Sequence, residues 1–128
     1  MINQKTLDKA IFKKMEASSW DKMRPIFNKF HNNILSLNKN IIGELYTIYI
    51  LYTFNEKVLA IVFFKKECLT VGLALPNYVK DKKLNSKGTI NYPGISKTYL
   101  ITKIGDVNKK LISWLKTIIK SHLFEESL

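Results

Sequence analysis

The sequence predicts an α+β domain in the order ααββββα: a four-stranded, mainly antiparallel sheet with helices packed chiefly on one face. Three observations carry this expectation. Apolar residues recur at helical spacing up to residue 37. The pattern switches to the two-residue period of strands near residue 44 and returns to helical spacing near residue 106. The strand-like runs succeed one another through short turns, which join antiparallel neighbours. With 128 residues and 14.9 kDa, the chain has the length of one domain, residues 1–128. A domain of this size buries roughly two-thirds of its surface and needs no metal or disulfide staple.

Leu7, Ile11, Phe12 and Met15 mark a first amphipathic helix over residues 5–16. Ser18-Ser19 ends it and can cap the next helical segment. The second helix begins near Trp20, or at Pro25, since proline is comfortable only in a first turn. Its apolar stripe is Ile26, Phe27, Phe30, Ile34 and Leu37, and Asn38-Lys39-Asn40 ends it. Tyr46 to Phe54 is crowded with aromatic and β-branched residues and reads as the first strand. Phe54-Asn55-Glu56-Lys57 reads as a hairpin turn. Val58 to Phe64 is the second strand, apolar on both faces and therefore central. Cys68 to Leu75 is the third, ended by Pro76. Gly72 interrupts it, marking a bulge or a close approach to the sheet, with packing the favoured cause. Residues 77–95 have no period and form a long basic loop. Lys97 to Ile104 is the fourth strand. Asp106 is a candidate cap for a last helix with Val107, Leu111, Trp114, Leu115, Ile118 and Leu123 on one stripe. Tyr46 to Phe54, apolar on both faces, needs a cover: a second subunit in a homodimer, or the 77–95 loop folded back over the sheet.

Lys and Arg total 21 against 10 Asp and Glu, a net charge of +11. Such a charge attracts polyanions, and the A/T-biased look of a chain rich in Lys, Asn and Ile offers a purely compositional alternative. Arg24 is the single arginine. Bidentate readout of bases usually relies on arginine, so any nucleic-acid binding should be weakly sequence-specific. No run is long and apolar enough for a membrane span, no signal peptide stands at the start, and the lone Cys68 suits a reducing compartment. The expectation is a cytoplasmic protein with no membrane partner.

Chemistry-bearing motifs are scarce. His31 and His122 lie in helical segments without partners at ligand spacing, so no metal site is expected and both read as exposed or partly packed. Cys68 has lysines before it but no neighbouring base, and reads as a strand thiol. The acids are scattered, the five glycines isolated, and no phosphate-cradling loop or cofactor fold can be written. No catalytic residues and no cofactor are expected. The candidate site is a surface. The loop offers Tyr78, Lys80, Lys82, Lys83, Lys87 and Tyr92, and one face of the fourth strand offers Lys97, Tyr99 and Lys103. Lysines would attract phosphates and the rings would stack on bases.

Residues 63–76 (FFKKECLTVGLALP) and 96–121 resemble a bacterial family of small domains of unknown function. The match is carried by Phe63, Phe64, Lys66, Leu69, Val71, Gly72, Leu73 and Leu75. More loosely, the chain resembles YdhG-like α+β domains. The resemblance implies no activity. Members occur alone or fused to DNA-related proteins, which implies a link to nucleic-acid metabolism.

Three readings stay open on the sequence: a non-catalytic accessory or binding domain with a protein partner, a protein that binds DNA or RNA through a Lys/Tyr surface, and an enzyme of unrecognised type.

Overall fold

The computed structural model describes residues 3–88 and 90–127. It has three α-helices, α1 (Gln4–Glu16), α2 (Arg24–Ser36) and α3 (Lys109–Ser127). Six strands accompany them: β1 (Ile41–Leu45), β2 (Tyr49–Phe54), β3 (Lys57–Phe64), β4 (Leu69–Leu73), β5 (Asn85–Ser86) and β6 (Lys97–Ile101). They form one sheet in the order β1-β2-β3-β4-β6-β5, antiparallel at every pairing. The α+β class and the helices on one face agree with expectation. The expected four strands do not, because the sheet has six.

The two additional strands are the two edges, where burial leaves the weakest trace. Residues 41–45 pair with β2 from Ile41↔Phe54 to Leu45↔Ile50. Tyr46 to Ile48, expected as strand, instead form the turn, closed by the Tyr46 N–H on the Tyr49 carbonyl at 2.8 Å. Gly43 reads as a turn or boundary position in the sequence, but it stands in the middle of β1, where the packing requires it. A Cβ there would stand 2.7 Å from Cε1 of the buried Tyr52 ring. At the other edge, β5 is two exposed residues held to β6 by backbone pairing and by the Thr98 hydroxyl, which donates to the Ser86 carbonyl at 2.9 Å.

The β2–β3 hairpin turns at Asn55 and Glu56, with φ of 49° and 69°. Two successive left-handed residues make a turn whose twist matches that of the strands. Just beyond it the ladder slips: Tyr52 faces Ala60 and Thr53 faces Val58, leaving Leu59 as the extra residue of a bulge. Leu59 and Ala60 therefore both enter the helix-side core, while Ile61 and Val58 belong to the opposite face. This is why β3 reads as apolar on both faces.

On the helix side, Ile11 and Met15 of α1, Phe27, Phe30 and Ile34 of α2, and Leu111, Leu115 and Ile118 of α3 pack against Ile50, Val62, Leu69, Val71 and Ile101. On the far side Leu51, Ile61 and Ile95 are buried, with Tyr49, Phe63, Ile90 and Tyr92 packed around them. The 77–95 loop thus supplies a cover for the second face of the sheet. Gly72 makes room for this cover, since a Cβ there would stand 2.7 Å from Ile61 Cγ2 and 2.9 Å from Ile95 Cγ2.

The helix ends refine the expected boundaries. Ser18 opens a 3-10 turn over Ser19–Met23 by accepting the Trp20 N–H, and Pro25 then sits in the first turn of α2. The α3 cap is Asn108, whose Oδ1 accepts the Leu111 N–H at 3.0 Å, and not the expected Asp106. Asp106 lies in a 3-10 turn (Ile104–Asp106), where its carboxylate accepts the Thr102 and Lys103 N–H groups, so β6 ends at Ile101 and not Ile104. Trp114 is buried as expected, edge-on to Tyr99 at 5.3 Å, whereas Leu123 is exposed.

His31 corrects the expectation of an exposed or partly packed residue: it is buried, at the junction of α1, α2 and β2. Its Nε2 lies 2.8 Å from Asp8 Oδ1 and its Nδ1 2.7 Å from the Tyr52 hydroxyl. A carboxylate only accepts, so Nε2 carries the proton and the Tyr52 hydroxyl donates to Nδ1. Gln4 donates to Asp8 at 2.8 Å and pairs both with the Gly43 N–H and the Gly43 carbonyl, at 3.0 and 2.9 Å. That amide occupies backbone groups that would otherwise lie open on edge strand β1.

Candidate polyanion-binding cleft

Strand β6 has β5 beside it only at Lys97 and Thr98. Past that point its outer edge borders a cleft of about 530 Å³. Three segments bring lysines to it: Lys82 and Lys83 from the loop, Lys103 from the turn after β6, and Lys110 from the first turn of α3. Lys110 binds Asp81 at 2.9 Å, tying the loop to the helix. The Asp81 carboxyl is held below its ordinary value by the Lys83 N–H first and the Lys110 ammonium second.

Asp106 is the one carboxylate among the lining residues. Its Oδ2 accepts from the Thr102 N–H at 2.9 Å, the Thr102 hydroxyl at 3.2 Å and the Lys103 N–H at 3.2 Å. Burial on its own would raise this carboxyl, but those bonds outweigh it and hold the group below its ordinary value. The carboxylate is thereby committed to the turn. Tyr99 forms part of the wall, its hydroxyl donating to the Asp106 carbonyl at 2.7 Å. Burial first, and the Asp106 charge next, push its phenol above the ordinary value, so it remains a neutral hydrogen-bonding group. The arrangement concentrates ammonium groups around polar donors, and chemically it can hold an anion.

The expected surface is brought together only in part. Lys82, Lys83, Tyr99 and Lys103 converge on this cleft, and Lys87 borders a second one. Tyr78 and Lys80 are exposed and line neither, Tyr78 at 77% exposure. Tyr92 is half-buried, edge-on to Tyr49 at 6.2 Å, and serves as cover for the sheet. Lys97 and Tyr99, expected on an outward face, follow the helix-side alternation of β6 instead, opposite Leu73 and Val71, and Tyr99 is only 5% exposed. The ring therefore packs on Trp114 and has no face free for a base. Arg24 lies elsewhere, bound to Asp21 at 2.6 Å and set over the Phe12 ring.

Lys110 escapes a sequence reading, although a signal is present. Two lysines and no acid open α3, where the helix dipole disfavours cations. Among the described residues, no three His, Cys, Asp or Glu side chains are grouped to hold a metal ion, and no helix is long and apolar enough to cross a membrane.

A scan against protein-family models found no match, and searches of curated proteins and of solved structures found none either. The resemblance carried by residues 63–76 and 96–121 accordingly rests on those residues alone.

Proposed function

We propose that the chain is a non-catalytic binding domain that holds the phosphate backbone of nucleic acid in the cleft beside β6, with weak sequence preference. The observation that carries this reading is the convergence of Lys82, Lys83 and Lys103 on a cleft whose single lining carboxylate is committed to its own turn, with Lys110 beside them in its pair with Asp81. Each lysine that meets a phosphate releases condensed counterions, which provides affinity without reading sequence. Weak preference is expected because Arg24, the residue type best suited to base edges, is engaged with Asp21.

Fluorescence anisotropy with mixed-sequence DNA and RNA at 50 mM salt tests the reading. Binding in the micromolar range is expected, falling steeply as salt rises. Replacing Lys82, Lys83, Lys103 and Lys110 together by glutamine should weaken it about tenfold or more and lower the slope of log K against log salt by about 3. The control replaces four exposed lysines elsewhere, Lys5, Lys9, Lys13 and Lys22. Equal losses from both sets would mean diffuse attraction and no site. Absence of binding by the unmodified protein would leave the net charge as composition.

A further inference from the structure

The far face of the sheet carries a second cleft, of about 340 Å³, directly beside the first. Its walls include Phe63, Lys65, Thr70, Lys87 and Thr98. Thr70 lies opposite Leu100 in the β4–β6 ladder, and Leu100 lines the first cleft. Opposed side chains on one face of a sheet stand about 5 Å apart, so the two clefts meet there. Thr98 lines the second cleft and Leu100 the first, two residues apart on β6 and on the same face. Lys65 and Lys87 therefore continue the line of lysines that begins at Lys82, Lys83, Lys103 and Lys110. No acidic residue is among the lining residues of the second cleft.

The second cleft offers what the first lacks, a partly exposed aromatic ring. Phe63 is half-buried, tilted against Tyr49 at 5.5 Å, with the Lys65 ammonium 6.0 Å from its ring centre, and unlike Tyr92 it lines the cleft. A phenyl ring beside ammonium groups suits a flat, neutral π-system attached to a phosphate. Bases paired and stacked inside a duplex present no free face, whereas those of a single strand do. We propose that the two clefts form one track for single-stranded nucleic acid, with phosphates on the lysines and a base on Phe63. The proposal rests on the nucleic-acid reading above and adds to it the form of the ligand and the residue that would select it.

The test compares a mixed-sequence 12-nucleotide single strand with the same sequence as duplex, by anisotropy at 100 mM salt. The single strand should bind at least about tenfold more tightly. Phe63→Leu keeps an apolar side chain against the cluster of Leu51, Ile61 and Ile95 and removes the ring. It should weaken single-strand binding about 5- to 150-fold and leave the salt slope unchanged, with Phe63→Tyr restoring affinity. Should Phe63→Leu not fold, the exposed pair Lys65→Gln and Lys87→Gln decides. Their joint replacement should lower the single-strand slope by about 1.4, at roughly 0.7 per phosphate, and an unchanged slope overturns the track. Equal affinity for the two forms, with Phe63→Leu neutral, overturns the single-strand proposal and leaves the nucleic-acid reading standing. Displacement by polyglutamate as effective as by unlabelled single strand means an acidic polypeptide as the ligand, and overturns it also. If neither form binds at 50 mM salt, the nucleic-acid reading itself fails.

Discussion

His31 holds together three elements with one neutral ring. Burial lowers its pKa from the ordinary 6.5, and the hydrogen bond and charge of Asp8 recover only part of that drop. The direction of this shift fixes the sign of the pH effect. Between the ordinary value and the depressed native one, the unfolded chain binds a proton that the folded chain refuses. Stability is therefore complete above pH 6.5 and declines as the pH falls from there through the native pKa. The measurement is a ring-proton NMR titration of the two histidines, with chemical denaturation at pH 7.5 and 5.5. His31 should titrate below 6.5 and the midpoint should drop at the lower pH. Titration at or above 6.5 would mean that Asp8 outweighs burial. Tyr52 responds in the opposite sense. Its phenol lies well above its ordinary value, first from burial and then from the Asp8 charge, which keeps it the donor to Nδ1.

At the scale of elements, Trp114 shows how α3 is fastened. Leu111, Leu115 and Ile118 of the helix are buried with it, and its ring meets Tyr99 edge-on. Trp114→Ala should cost about 3–5 kcal/mol in denaturant melts. A loss below about 1 kcal/mol would mean that the cavity collapses or that the contact with Tyr99 adds little. Elements of this kind are legible in the sequence because burial writes a period into it. α1, α2, α3, β3 and the Asn55-Glu56 hairpin all have such a trace. β1 lacks one because Gly43 makes room for the Tyr52 ring on the neighbouring strand, which local patterning does not record. β5 lacks one because its two residues, Asn85 and Ser86, are exposed and held through their backbone, by the pairing with β6 and the Thr98 hydroxyl. The cleft is half-legible for a related reason. Lys82, Lys83 and Lys103 announce themselves in the charged loop and the fourth strand, but Lys110 joins them only because α3 starts beside the loop. The side of the sheet that Tyr99 takes is not legible, because alternation along a strand identifies two faces without saying which one meets the helices.

For the whole molecule, the question is what closes the second face of the sheet. Ile90, Tyr92 and Ile95 lie over Leu51 and Ile61, so the chain covers part of that face itself. Sedimentation at micromolar concentration should give a species of 14.9 kDa. A species of twice that mass would assign an interface to the apolar side chains still exposed, Tyr46 and Ile48 at the β1–β2 turn and Leu100 on β6. The same covering loop carries Lys82, Lys83 and Lys87, and its contact with the sheet passes over Gly72. Ile61 is fixed inside the sheet by strands on both sides, while Ile95 belongs to the loop, so a side chain at position 72 would press on the sheet as well as on the loop above it. The missing methyl group thus acts as a spacer of zero thickness that sets how high the charged surface rides above its support. A change at this buried point, beside Thr98 and Ile90 of the second cleft, would disturb the seat of the loop that carries the lysines while altering none of them.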